Sequence, residues 1–322
     1  MKLSKVLIKF LEAQEYVLKQ RTILYYYQII KIYIEGSEID VNIETINNEM
    51  LNAFALRLSG QLERDKFKNS ETDKNNFSFS TIKVIKSLVA RGMVFAKKRG
   101  WVKESASFEV VIKPNSPRRV ESLSKDEQAK IENYILGNKK VYSYGVLISL
   151  YTGLRIGELL SLKWESVDLK AKTLIVKTTT CKIADSGKIV LIEDLPKTQS
   201  SVRELPITKV VVKLLKDIKA CQKGASEYVM ARANGKRIDM RTYQDSFSRL
   251  LRRLEIRHYG FHALRHTFAT RCLELGIDIK TISELMGHAN PTITLNRYVH
   301  TNLENKRQAV NLLARKINQR LG

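Results

Sequence analysis

The sequence predicts an N-terminal all-α domain followed by a larger α+β domain, in which helices surround a small antiparallel sheet. Three observations lead to this fold class. Apolar side chains recur at helical spacing through the first hundred residues, β-rich segments occur between about 173 and 207, and a proline-containing segment separates the two patterns. A chain of 322 residues with 43% hydrophobic content is long enough for two domains that each bury a core.

The N-terminal domain is predicted to consist of paired helices. Residues 1–34 are predicted to be helical, and a second pair of helices is predicted over about 43–58 and 80–98. The polar run 63–76 between them is typical of a loop. The apolar positions that predict the first helical stretch are Leu3, Val6, Leu7, Phe10, Leu11, Leu24, Tyr27, Ile30 and Tyr33.

Pro114 and Pro117 mark the boundary between the domains, because neither side of this segment continues a helix easily. We expect a first domain over 1–113, a linker over 114–121 and a second domain over 122–322. Directly after the linker, Ser124 and Glu127 have the spacing of a capping box, which opens a helix.

The second domain begins with helical patterns and then changes period. A helix is predicted over 144–163, where apolar residues dominate. Three β-rich segments follow at 173–177, 189–192 and 202–207, separated by Gly and Asp turns. Helical patterns then return to the end of the chain, which predicts a mostly helical domain with one small sheet.

The charge of the chain favours a polyanionic partner. Lys and Arg number 56 against 33 Asp and Glu, so the formal net charge is +23 and the pI is about 9.8. Nucleic acid and an anionic membrane surface both fit this charge.

The apolar stretches are too short to span a bilayer and the N-terminus lacks a signal-peptide pattern, so we expect a cytoplasmic protein. Cys181, Cys221 and Cys272 are too widely spaced to predict a disulfide framework or a zinc cluster.

Arg155 lies in the segment Thr-Gly-Leu-Arg-Ile-Gly-Glu, where we expect it in the first turn of a helix. A guanidinium at a helix start can bind an oxyanion together with the free N–H groups there. A surface arginine paired with Glu158 explains the segment equally well.

The segment Phe-His-Ala-Leu-Arg-His-Thr-Phe places His262 and Arg265 on one helix face. With Leu264 on the buried side, we expect an exposed, cationic and titratable pair that could grip a phosphate. A solvated helix start is the alternative. Further on, His288 follows a glycine turn and Tyr298 follows ten residues later; each is a weak signal by itself.

Taken in order, these segments resemble the tyrosine recombinase family, which includes phage and conjugative-transposon integrases and Xer-type resolvases. The family's first arginine matches Arg155, and its His-x-x-Arg pair matches His262 and Arg265. Its Leu-Gly-His motif matches Met286-Gly287-His288, with Met for Leu, a tolerated exchange. Its nucleophile matches Tyr298.

The β-hairpin lysine of the family is the least certain match. Lys197 fits best, because the segment from Pro196 to Pro206 reproduces the Lys-Thr…Arg-x-x-Pro surroundings of that residue. Lys182 and Lys188 are rivals, since they lie in an extra segment over 178–194 that lengthens the hairpin.

The resemblance implies a site-specific recombinase that cleaves and rejoins DNA through a 3′-phosphotyrosine, without a metal ion or cofactor. It implies that 1–113 is a core-binding domain and 122–322 a catalytic domain. The expected partners are double-stranded DNA with specific sites, three further copies of the chain in a homotetramer, and accessory directionality factors. Family members with an arm-binding domain are longer at the N-terminus, so we expect a simpler integrase or resolvase, or a truncated form of a longer protein.

A C-terminal exchange helix is expected from about 302, where an apolar stripe follows the nucleophile. The stripe could instead pack on its own domain. Its members are Leu303, Val310, Leu313 and Ile317. Three alternatives to an integrase stay open: a resolvase of chromosome or plasmid dimers, a type IB topoisomerase-like enzyme, and a DNA-binding regulator that kept the fold.

Overall fold

The structure is a computed structural model of the chain. It describes residues 1–60, 77–112, 121–177, 202–222, 224 and 226–288, together with the backbone of 179–185 and 188–194. The polar run 63–76 and most of the expected linker 114–121 lie outside these residues.

The chain divides into two compact units. One comprises Met1–Arg118 with Lys182–Val190, and the other comprises Arg119–Cys181 with Leu191–Gly322. Each unit has an apolar core of its own. The bounds of the two expected domains and of the linker stay a prediction.

The described elements between residues 1 and 112 are helices, as the sequence predicts. They are α1 (Leu3–Ala13), α2 (Gln20–Ile29) with a π-helical turn (Ile30–Ile34), a 3₁₀ turn (Ile43–Thr45), α3 (Asn48–Leu58) and α4 (Phe79–Lys98). These helices surround a core to which α1, α3 and α4 contribute most of the buried side chains.

The stretch predicted to be helical over 1–34 is interrupted and forms two helices with a π-helical turn. The apolar stripe of α1 is buried as predicted. The chain leaves the helix after Ala13 and re-enters it at Gln20, and the π-helical turn then shifts the register again. As a result Ile23 and Ile34 are buried, whereas Leu24 and Tyr33 are half-buried.

Helices of the second unit share an apolar core with residues of the small sheet. The predicted capping box is confirmed: Ser124 N donates to Glu127 Oε2 (2.8 Å) and Glu127 N donates to Ser124 Oγ (3.1 Å). The helices are α5 (Lys125–Asn138), α6 (Tyr144–Thr152), α7 (Ile156–Ser161), α8 (Lys209–Gln222), α9 (Met240–Arg253), α10 (His262–Glu274) and α11 (Ile279–Met286).

The predicted helix over 144–163 is in fact two helices, α6 and α7. Gly153 ends α6 with φ +68°, a left-handed conformation that glycine adopts without strain. The break turns the chain and lets Arg155 precede a new helix. Helix α10 packs against α6, and α11 packs against α10.

The sheets confirm the predicted α+β class. The strands are β1 (Val167–Asp168), β2 (Thr173–Val176), β3 (Thr179–Asp185), β4 (Lys188–Asp194) and β5 (Arg203–Pro206). Strand β2 lies between its antiparallel neighbours β1 and β5, with Val176 opposite Arg203, while β3 and β4 form a separate two-stranded sheet. Among the described helices, none is long and apolar enough to cross a membrane.

Gly92 allows α4 to approach α1 closely. A Cβ atom at this position would lie 2.2 Å from Leu7 Cδ2, and Leu7 is fully buried. We expect Gly92→Ala to destabilise the first unit by about 1–3 kcal/mol, because the overpacking outweighs the gain in helix propensity. Urea unfolding followed by Trp101 fluorescence in a Trp164→Phe background measures this, since the chain has two tryptophans.

Gly137 near the end of α5 is the matched control. A Cβ atom there meets nothing within 4 Å, so Gly137→Ala should leave stability unchanged or raise it by up to about 1 kcal/mol. Trp164 reports on its unit in a Trp101→Phe background. Equal effects of the two substitutions would contradict the proposed close approach.

Candidate active site

Arg155 stands just before α7 in extended backbone, with φ −69° and ψ 151°. The expectation that it lies in the first turn is therefore wrong by one position. Its backbone N–H donates to Glu158 Oε2 at 2.9 Å, so Glu158 caps the helix start. Because this N–H already donates to Glu158, the group through which Arg155 can bind a ligand is its guanidinium. The side chain of Arg155 is 35% exposed.

Arg265 is buried, with 1% exposure, which corrects the expectation of an exposed cationic pair on α10. Its Nη1 donates to Gly153 O at 2.7 Å, and its Nη2 donates to Met286 O. Carbonyl oxygens at two helix ends thus hold this guanidinium inside the unit. His262 is exposed on the same helix. Its ring packs edge-on against that of His266, with the two ring centroids 4.6 Å apart.

A buried carboxylate, Glu158, lies between two arginines. Its side chain is 5% exposed. Arg155 Nη1 donates to its Oε1 at 2.7 Å. From the other side Arg203 donates twice, through Nη1 to Oε1 at 3.2 Å and through Nη2 to Oε2 at 3.0 Å.

These cations decide the charge state of Glu158. Burial by itself would raise its pKa, but Arg203, and after it Arg155 and Arg265, lower the pKa to about 2. The carboxylate is therefore ionised at neutral pH. Three guanidiniums and one carboxylate give the cluster a formal net charge of +2.

The end of α11 is held by the same three arginines. Arg203 Nε donates to Leu285 O at 2.8 Å, Arg265 donates to Met286 O, and Arg155 Nη2 donates to Gly287 O at 3.2 Å. The last carbonyls of a helix have no partner within the helix and carry partial negative charge. Three guanidiniums on consecutive carbonyls satisfy them and fix the turn that leads to His288.

Gly287 makes this arrangement possible. Its φ is +61°, and a Cβ atom there would lie 2.7 Å from Arg203 Nη1 and 3.0 Å from its Cζ. A side chain at this position would be strained by the backbone and would collide with the guanidinium. Beyond the glycine, His288 N donates to Ser283 O at 3.0 Å, which closes the helix end.

Of the residues that the sequence predicts, Arg155, Arg265 and the turn from Met286 to His288 are brought together. Lys197 and Tyr298 lie outside the described residues, as does the expected exchange helix. Lys182 lies in β3 and Lys188 begins β4, with backbone positions described. The roles of all these residues stay predictions.

Glu158 and Arg203 were not predicted as site residues. For Glu158 the available signal was its place three residues after Arg155, which suits a cap. For Arg203 the signal was its strand position: it shares the buried face of β5 with Leu205, where a charged residue is rare. Among the described residues, no group of three or more His, Cys, Asp and Glu side chains is arranged to hold a metal ion.

A comparison with known families identifies the family of the chain. The model of the phage integrase family matches residues 111–305, which is more than half of the chain and includes every residue of the cluster. The chain belongs to the phage integrase family.

Individual relatives agree with the family match. The chain is 30% identical over 260 residues to the XerC-like tyrosine recombinase of Caldanaerobacter subterraneus subsp. tengcongensis, which covers 73% of this chain and 66% of that protein, slightly less than two thirds. The integrase of transposon Tn1549, solved with transposon right end DNA, is similar in fold, with a TM-score of 0.79 at 23% identity over 98% of this chain and all of that one. The structure of a lambda integrase tetramer bound to a Holliday junction is also similar in fold. Its TM-score is 0.64 at 18% identity, and the match covers 94% of this chain and 79% of that one.

Glu158→Gln should destabilise the second unit by about 3 kcal/mol at neutral pH, because it leaves two guanidiniums without a buried counter-charge. The folded-state pKa of about 2 lies below the ordinary value of 4.5, so the stability that Glu158 contributes is complete above about pH 4.5 and is lost as the pH falls towards 2. The difference between the variant and the wild type should therefore shrink on acidification. Urea unfolding followed by Trp164 fluorescence in a Trp101→Phe background between pH 2.5 and 7 measures it.

Glu284→Gln is the matched control, since Glu284 is exposed on α11. It should change the free energy of unfolding by less than about 0.5 kcal/mol. A pH-independent difference for Glu158→Gln would show that the charge of Glu158 is not what stabilises the cluster.

Proposed function

We propose that the chain is a site-specific DNA recombinase that cleaves and rejoins strands through a 3′-phosphotyrosine on Tyr298, and that it integrates and excises a mobile element. One observation carries the proposal. Arg155 donates to Gly287, 132 residues further along the chain, and Arg265 donates to Met286, 21 residues further, so both motif arginines meet the turn from Met286 to His288 in one hydrogen-bonded cluster. The family match covers that cluster and Tyr298.

The cluster suits a phosphodiester because its charge is positive before any ligand binds. Attack on a DNA phosphate requires that negative charge be neutralised as the pentavalent state forms. Arg155, with its partly exposed side chain, would bind a non-bridging oxygen, while Arg265 adds positive charge from the buried side. Loss of one preorganised donor of this kind costs about 3–4 kcal/mol, or about 10²–10³ in rate.

The proposed step exchanges one phosphoester for another. Tyr298 Oη attacks phosphorus, its bond to phosphorus forms, and the bond between phosphorus and the 5′-oxygen breaks. His262 accepts the phenol proton, because an unperturbed tyrosine has a pKa of about 10 and needs a base. Lys197 donates a proton to the leaving 5′-oxygen, and His288 binds the phosphate. A 5′-hydroxyl from another strand reverses the step, so rejoining needs no external energy source.

DNA is the proposed partner, bound by both units. The net charge of +23 favours a polyanion, and the Tn1549 integrase, whose fold is similar, was solved with transposon DNA. Residues 1–113 would act as the core-binding domain and 122–322 as the catalytic domain. We infer a cytoplasmic location, where the DNA substrate lies. Accessory directionality factors belong to the same proposal.

A dimer-resolving role is the second candidate, favoured by the XerC-like relative at 30% identity. Both roles use the same chemistry and differ in the arrangement of sites. An integrase joins element ends to a target, whereas a resolvase recombines two directly repeated sites. Assays with both arrangements distinguish the roles once a cleaved site is known.

Tyr298→Phe should abolish the covalent adduct between protein and DNA and change DNA affinity by less than about threefold, because it removes one oxygen from a mainly basic contact surface. Nicked duplexes from the DNA that flanks the gene serve as suicide substrates, and denaturing gels detect the adduct. A Tyr→Phe substitution outside the motif in the same unit, Tyr228→Phe, is the control. A gel-stable adduct in the Tyr298 variant would contradict the assignment of the nucleophile.

A homotetramer on DNA is also proposed, supported by the apolar stripe from Leu303 to Ile317 and by the lambda integrase tetramer. Deletion of the residues after Thr301 should leave binding to a single site within about threefold and reduce complexes on paired sites by at least about tenfold, because the stripe would dock on a neighbouring copy. Native mass spectrometry of DNA complexes counts the subunits. Unchanged assemblies of four copies would exclude this role of the tail.

A further inference from the structure

Arg203 is a residue of the cluster for which the proposed reaction has no role. It stands at the start of β5, with a side chain 7% exposed. Its guanidinium donates to both oxygens of Glu158 and, through Nε, to Leu285 O. A group buried in this way, with protein acceptors on each of its nitrogens, is oriented to hold other residues in place.

Two partners connect Arg203 to groups that the proposed reaction uses. The first is Glu158, which also accepts from the guanidinium and the backbone N–H of Arg155. The second is the end of α11, where Leu285 O lies three residues before His288. Arg203 therefore reaches the positions of Arg155 and His288 through one intermediate group each.

The packing of Gly287 provides an independent observation. The space that a Cβ atom would fill is occupied by the Arg203 guanidinium, 2.7 Å from Nη1. The turn before His288 can adopt its φ of +61° against Arg203 because the residue there is glycine. Arg203 thus packs directly against Gly287 in this turn and also donates a hydrogen bond to the helix end that precedes it.

We propose that Arg203 is a positioning residue of the active site: it fixes His288 through the end of α11, and Arg155 through Glu158. The proposal rests on the recombinase function proposed above. Its specific consequence is that loss of Arg203 slows strand cleavage at saturating DNA while DNA affinity is kept, since the Arg203 side chain is buried, with 7% of it exposed. A misplacement of about 1 Å at reacting groups can cost about 10²-fold in rate.

Arg271 offers a matched control in the same unit. It too donates to a carboxylate, Glu274, and to a backbone carbonyl, Leu123 O, and its side chain is 21% exposed. Its remaining nitrogen, Nε, donates to Gln128. It lies on α10 away from the cluster, so its loss tests the effect of removing a structural arginine.

The test compares Arg203→Met, Arg203→Lys and Arg271→Met with the wild type. Adduct formation on a nicked duplex that the wild type cleaves is measured in a single turnover at saturating DNA. We expect Arg203→Met to lower the rate constant about 10²-fold with DNA affinity within about threefold, and Arg203→Lys, which keeps the charge, to recover part of the rate. Arg271→Met should cleave at the wild-type rate once corrected for the folded fraction.

A second readout needs no DNA. The ¹H–¹³C signal of the His288 ring, assigned by its loss in His288→Asn, should move in Arg203→Met and stay in place in Arg271→Met. If Arg203→Met does not fold, Arg203→Lys carries both measurements. Equal cleavage by Arg203→Met and Arg271→Met, or an unmoved His288 signal, would overturn the proposal. If the wild-type protein instead forms an adduct with none of the nicked duplexes, the recombinase function is overturned, and the His288 signal still decides the role of Arg203.

Discussion

The carboxylate of Glu158 allows three guanidiniums to lie close together in the absence of any ligand. Two unit charges of the same sign 4 Å apart repel by about 4 kcal/mol at an effective dielectric constant near 20. The carboxylate lies within hydrogen-bonding distance of both Arg155 and Arg203, so it offsets this repulsion. Its own burial is costly, and the arginines compensate for it by keeping its pKa near 2. Each charge makes the burial of the others tolerable.

The end of α11 supplies a second source of negative potential. A helix end carries about half a negative charge on its unpaired carbonyls, and here three consecutive carbonyls accept from Arg203, Arg265 and Arg155. The guanidiniums are thus held by one full and one partial negative charge, both of which belong to the protein. A cationic cluster held in this way is preorganised, because its guanidiniums are oriented before any anion binds.

Local interactions account for the parts of this fold that the sequence predicts well. The capping box of Ser124 and Glu127 and the buried stripe of α1 depend on residues three or four positions apart, and spacing alone reveals them. Gly153 illustrates an intermediate case. A glycine within an apolar helical pattern was a visible sign of a helix end, and the helix expected over 144–163 does break there. By contrast, the pairs Arg203 with Glu158 and Arg155 with Gly287 are 45 and 132 residues apart, and no local periodicity encodes them.

The prediction that Arg265 is exposed was wrong, and the reason for its burial is informative about the site. Charged side chains are almost never fully buried unless they are paired, so an exposed position was the reasonable expectation. The exception arises because two glycines end helices nearby in left-handed conformations, Gly153 after α6 and Gly287 after α11. These helix ends leave carbonyls without helical partners, and the guanidinium of Arg265 spans two of them, Gly153 O and Met286 O. The ammonium of a lysine is a single point charge, whereas a guanidinium presents donors in a fixed planar fork that can reach two acceptors at once. The glycines and the arginine of the motif therefore form one structural unit: the glycines create the acceptors, and the arginine joins them beneath the site.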